Sequence, residues 1–192
     1  PGIPRIEMNY EKENYISIKN KPIVTKVHLK SNQGGLTLNT DVLQKYSDNW
    51  IKNSTAAQHA AMQMSEKNIS NTFIPQSKLS NTTEENSASI KNGNEIYNSY
   101  TKTISYDHIP TITYFPTAKA NLLKLDIKIV GKKIGYIIGA GDKVPQALEQ
   151  MGYEVKILSE QDLNIETLKQ FDAIITGIRA YNIYDYLTNR ND

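Results

Sequence analysis

The chain has 192 residues, 39% of them hydrophobic, and its 22 Lys and Arg against 20 Asp and Glu leave a formal net charge of +2. That balance gives no footprint for nucleic acid, and the lysines that do gather (Lys119, Lys124, Lys128, Lys132, Lys133) alternate with apolar residues as a solvated face does. There is no cysteine, which excludes disulfides, thiolate metal ligands and a cysteine nucleophile, and no apolar run matches the roughly 20 residues of a membrane-spanning helix.

The length allows one large or two small domains, and the apolar residues are unevenly spread. The stretch 53–100 is rich in Asn, Ser, Thr, Lys and Glu, whereas Ile, Leu and Val become frequent from Ile104 onward. A start at Pro1 with no signal peptide predicts a fragment or processed product. Residues 1–104 predict a β-rich, sandwich-like module. Residues 15–18 and 23–29 alternate with period two, and Asn32-Gln33-Gly34-Gly35 makes a turn before a strand at 36–38. Residues 95–104, rich in Tyr and Thr, read as one further strand. The segment 54–67 fits either a helix capped by Ser54 or a strand with Ala60, Met62 and Met64 on one face. Residues 75–94 read as a long polar loop or a mobile edge.

Residues 105–130 read as a connector and an extended strand. Pro110 and Pro116 forbid a continuous ladder there, and the alternation of Leu123, Leu125, Ile127 and Ile129 predicts the buried face of a strand over 121–130. The period then changes. Residues 133–138 predict an apolar central strand. After the turn Gly139-Ala140-Gly141-Asp142, a helix starts near Pro145 with Val144, Leu148 and Met151 on one face and stops at Gly152. A strand at 153–158, a turn capped by Ser159 with Asp162, a short helix at 165–171, a third strand at 172–177 and a helix start near 184–187 complete the series. Residues 131–192 are therefore expected to form an incomplete parallel βαβαβ unit, and the fold class is α+β multidomain.

The glycine turn is the first candidate for chemistry. Gly139 and Gly141 match two positions of a dinucleotide fingerprint, but Val144 stands at the third, and Asp142 puts a negative charge where a phosphate would bind. No Gly-Lys-Ser/Thr follows, so a phosphate loop is excluded. The plainer reading is a structural turn whose Asp142 caps the next helix. Beyond the third strand stand Arg179, Tyr181 and Asn182, where ligands of open α/β sheets bind. With Gly139, Gly141 and Asp142 they form a candidate ligand cleft for a small anionic or sugar ligand, set against a structural role in which Arg179 pairs with Asp142. His28, His59 and His108 are too scattered for a metal motif, and no nucleophile elbow or carboxylate pair stands out. No catalytic and no metal residue is nominated.

Three stretches, ISYDHIPTITYFP (104–116), IGYIIGAGDKVPQALEQMGYEVKILSEQDL (134–163) and LKQFDAIITGIRAYN (168–182), resemble the C-terminal half of large bacterial PIG-L (LmbE-like) family deacetylases of the Bacteroidota type. The resemblance covers residues 104–182, and Trp50 is similar to a tryptophan of that family's sandwich module. It implies an accessory β-sandwich followed by the opening of a flavodoxin- or glutamine amidotransferase-like domain without the amidotransferase cysteine. Catalysis, and zinc, would belong to a separate N-terminal domain marked His-Pro-Asp-Asp-Glu, absent from this sequence. The parent activity implied is hydrolysis of N-acetylglucosamine-type amides, and the parent's implied location is periplasmic or extracellular. The implied partners are the remainder of that polypeptide and a glycan, with a small-ligand module or a homo-oligomerising structural module as alternatives.

Overall fold

The computed structural model describes residues 2–33, 42–46, 50–53, 66–76 and 81–188. The protein is mixed α+β, mostly strands in several sheets with few helices. It divides into two compact units, Pro1–Asp126 and Ile127–Asp192.

In the first unit, β1 (Ile6–Tyr10), β3 (Ile23–Ser31), β6 (Glu66–Pro75) and β5 (Trp50–Asn53) form an antiparallel sheet in that order. A second sheet runs β2 (Asn14–Ile18), β11 (Lys119–Leu125), β7 (Thr82–Asn92), β4 (Val42–Lys45), with β8 (Glu95–Tyr97) also on β7. Only the β2–β11 pair in it is parallel. Strict alternation buries Ile23, Thr25, Val27, Leu29 and Ser31 along β3. The inward residues of both sheets, among them Met8, Val27, Trp50, Phe73, Ile90 and Leu122, form one core. A hairpin of β9 (Lys102–Tyr106) and β10 (Ile109–Tyr114) makes a separate two-stranded sheet.

Several expectations are corrected. The stretch 81–92, expected in a polar loop, is β7, paired on both sides by β11 and β4. Its inward positions are Asn86, Ala88 and Ile90, so small and polar residues hide the alternation. The strand at 95–104 is two strands with different partners, β8 and β9. On β11 the buried face is Ala120, Leu122 and Lys124, and Leu123 and Leu125 are half-buried on the other. The two alanine- and leucine-bearing positions decide the face. Lys124 at the strand end keeps its ammonium satisfied by donating to the Gln76 carbonyl at 3.3 Å. Pro110 stands inside β10, at a register shift between Ile109 and Ile112, which is where a residue without an N–H is tolerated. Strand β1 had no counterpart in the sequence reading. The helix-or-strand question at 54–65 and the strand at 36–38 lie outside the described residues; Glu66 and Lys67 open β6.

The second unit runs β12 (Lys133–Ile137), α1 (Val144–Met151), β13 (Glu154–Ile157), α2 (Ile165–Leu168), β14 (Ala173–Thr176), α3 (Ala180–Ile183) and α4 (Asp185–Thr188). The sheet order is β13-β12-β14, with β12 parallel to both neighbours. Asp172 ties the strand starts together by accepting the N–H groups of Lys132 and Lys133 at 2.7 and 2.8 Å. Gly152 ends α1 at φ 104°, a left-handed cap that glycine adopts without strain. Pro145, not Val144, is the buried residue of the first turn; Val144 is exposed. Ser159 donates through N–H and Oγ to Asp162 at 2.9 and 2.7 Å, which closes the turn after β13. The helix expected at 165–171 stops at Leu168. Ile137, Leu158, Ala180 and Leu187 form the core of this unit, with Leu163, Leu168 and Phe171 packed around them.

Candidate functional site

The rim of the parallel sheet is built by two chain turns that cross at close range. The turn after β12 and the turn after β14 touch through Gly139 and Gly177. A Cβ on Gly139 would stand 2.5 Å from the Ile178 nitrogen and 2.7 Å from the Gly177 carbonyl carbon. Only hydrogen fits at that crossing, so the glycine is demanded by backbone against backbone. The crossing is fastened by Gly177 N–H to the Ile137 carbonyl at 2.7 Å and by Ala140 N–H to the Ile178 carbonyl at 2.9 Å. Gly141 has a different reason. It has open space around its missing Cβ but a φ of 61°, where other L residues are strained.

Asp142 fills the middle of this rim. Its carboxylate accepts the Tyr136 hydroxyl and, at 3.0 Å, the Val144 N–H. The Tyr136 bond first, then Val144 N–H, with smaller help from the Ile178 and Gly139 backbone, holds the carboxyl below its usual range against the opposing effect of burial. Burial and then the same Asp142 bond push the Tyr136 phenol up to about 12. The negative charge is thus supplied by the protein itself, at the spot where a phosphate-binding turn would offer bare N–H groups.

Arg179 does not pair with Asp142. Among the described residues its side chain makes no hydrogen bond or ion pair, and it is exposed. Its backbone is left-handed, φ 59° and ψ 22°, at the apex of the turn from β14 into α3. A strained non-glycine residue at a strand-to-helix turn is the geometry of a nucleophile elbow, but an arginine at the apex can bind an anion and cannot attack a carbonyl. Tyr181 is exposed, as is Asn182, one residue further along α3. The structure therefore brings Gly139, Asp142 and Gly177 into contact and leaves Arg179, Tyr181 and Asn182 on the solvent side of the second turn. Tyr136 is the residue that sequence reasoning missed. Its signal was a lone tyrosine in an otherwise aliphatic strand, six residues before an aspartate.

The histidines stay apart. His28 Nδ1 is 2.9 Å from Asn68 Oδ1, and His108 stacks on Tyr106 with ring centroids 5.9 Å apart; His59 lies outside the described residues. Among the described residues no three metal-ligating side chains gather, and no helix is long and apolar enough to cross a membrane. No family model matches the chain, and no curated protein matches it either.

Proposed function

We propose that the chain is a non-catalytic accessory region of a PIG-L-like N-acetyl-sugar deacetylase, serving domain packing or glycan contact. In this reading the first unit is a β-sandwich module, supported by two sheets sharing one core. The second is the opening βαβαβ of an amidotransferase-like domain, supported by the parallel order β13-β12-β14. The observation that carries the reading is Asp142. It accepts the Tyr136 hydroxyl and the Val144 N–H, and the Ala140 N–H of the glycine turn goes to the Ile178 carbonyl, so the motif most suggestive of a nucleotide is read as holding two backbone turns together. For glycan contact, an open cleft of about 530 Å³ lies on the second sheet of the first unit, where Lys45, Ser87, Ser89, Asn98 and Lys119 present the polar groups a sugar needs. The natural coding sequence upstream of Pro1 tests the parentage. An in-frame domain carrying His-Pro-Asp-Asp-Glu supports it, and an unrelated domain there refutes it.

A second reading is favoured by Arg179. Its strained backbone and unpartnered guanidinium, next to Tyr181 and Asn182, suit a small anionic ligand at the end of β14. Calorimetric titration with inorganic phosphate and with sugar phosphates decides it: heat that disappears in Arg179→Ala establishes this reading, and silence discards it.

A further inference from the structure

The interior of the first unit carries a polar layer that its own side chains do not satisfy. Strand β7 lies between β11 and β4, and its inward side reads Asn86, Ala88, Ile90. Asn86 is fully buried, and among the described residues neither its carboxamide oxygen nor its nitrogen meets a hydrogen-bond partner. Gln44 pairs with Ala88 across β4 and β7, so it shares that inward side and stands diagonal to Asn86. Its Nε2 crosses to the other sheet, donating to the Tyr10 hydroxyl at 3.1 Å and to Thr25 Oγ1 at 3.4 Å. Thr25 Oγ1 donates in turn to the Asn71 carbonyl at 3.4 Å. Gln44 Oε1, Asn86 Oδ1 and Asn86 Nδ2 are therefore shut away from solvent on neighbouring side chains, without a partner among the described residues.

We infer that this layer is an internal hydration site, in which at least one long-lived water bridges Gln44 Oε1 and the Asn86 carboxamide between the two sheets. A buried amide left unpaired is strongly unfavourable, and native folds keep one where something besides the chain satisfies it. Water suits the atoms on offer. It donates to acceptor oxygens and accepts from an N–H at once, and the three waiting atoms match the roughly three hydrogen bonds a buried water makes. The spacing suits it too. Diagonal neighbours on a sheet stand about 7–8 Å apart at the backbone, and a water joins polar atoms roughly 5 Å apart. Room comes from the smallest side chains: Ala120 lies opposite Asn86, Ala88 two residues on, and Ala118 across from Ala88, all of them buried. Packed sheets stand about 10 Å apart, a gap that larger residues fill elsewhere in this core and alanines do not. Interior space that stays dry is apolar, and here two carboxamides border it.

Two measurements on the 192-residue chain test this. Nuclear Overhauser spectra read the side-chain amide protons of Asn86, and a cross-peak to water is expected with the sign of a bound, not a diffusing, molecule. Oxygen-17 magnetic relaxation dispersion counts slowly exchanging waters. Wild type is expected to exceed Asn86→Leu by at least about one such water, and Ser89→Ala, on the outward side of the same strand, leaves the count unchanged. Asn86 amide protons without the bound-water cross-peak overturn the inference. So does a folded Asn86→Leu variant that keeps the full wild-type count, or a Ser89→Ala variant that loses as much as Asn86→Leu. The cross-peak is read on wild type, so it decides the matter where Asn86→Leu fails to fold.

Discussion

Gly139→Ala is the most informative single change in the second unit. The new methyl would meet the Ile178 nitrogen at 2.5 Å and the Gly177 carbonyl carbon at 2.7 Å. Ordinary carbon contacts lie near 3.5–4.0 Å, so an overlap of about 1 Å must be relieved. These two atoms and the still nearer Ile178 carbonyl oxygen are all backbone, with no flexible side-chain end to swing aside, and the two turns have to separate. Overpacking of this kind costs about 1–3 kcal/mol. Separation also strains the bonds Gly177 N–H to Ile137 and Ala140 N–H to Ile178, at about 1 kcal/mol each. The total is roughly 3–5 kcal/mol, set against about 1–2 kcal/mol for Gly141→Ala, where the only penalty is a left-handed backbone in open space. Hydrogen exchange of peptides covering β12 and β14 reads the second unit directly and keeps the first unit as an internal reference. Loss of protection in Gly139→Ala far beyond that in Gly141→Ala is the expected result. Equal and mild effects in the two variants would show that the crossing is not what requires glycine at 139.

Further expectations follow from the same contacts. The Asp142 carboxyl is depressed below its ordinary 3.8, so its stabilisation is present above that value and is lost as pH falls through the folded value. Tyr136 is raised, so its stabilisation is present below pH 10 and is lost as pH rises toward about 12. Hydrogen exchange or circular dichroism across pH should show both limbs, with Tyr136→Phe shrinking each of them, since burial also raises Tyr10, Tyr15 and Tyr186. Phe73→Ala takes a fully buried ring from the first core, where it meets Tyr46 edge-on at 5.1 Å. A loss of about 3–5 kcal/mol is expected from urea titration followed by the fluorescence of buried Trp50. Asn164→Ala removes the cap accepted from Thr167 N–H at 3.0 Å and should cost about 1 kcal/mol, seen as lower exchange protection confined to 165–171.

Which elements the sequence announced depends on how much local signal each carries. Much of the second unit was legible, because Pro145, Gly152 and Ser159-Asp162 punctuate it with short-range chemistry that acts within one turn; the Asn164 cap of α2 was not read. The first unit was legible only where bulky residues alternate, as at Ile23, Val27 and Leu29 on β3. Strand β7 escaped because its inward residues are Asn86, Ala88 and Ile90, and its identity comes from neighbours distant in sequence on both sides. On β11 the alternation was seen but the wrong face chosen: Leu123 and Leu125 outweigh Ala120, Leu122 and Lys124 in hydrophobicity, while the parallel pairing with β2 puts Leu122 beside buried Tyr15. Hydrophobicity ranks faces, but pairing decides them.

The rim carries the same lesson into function. Composition at the glycine turn fits a nucleotide site and a bare structural corner equally, since both need a close backbone approach. What separates them is the object approached. Here Gly139 faces the second turn, and the aspartate that follows it accepts the Tyr136 hydroxyl, leaving no ligand needed to explain either glycine. Arg179 is the opposite case. Its left-handed backbone sits in the turn closed by Ala180 N–H donating to the Gly177 carbonyl at 3.1 Å, while its guanidinium makes no hydrogen bond or ion pair among the described residues.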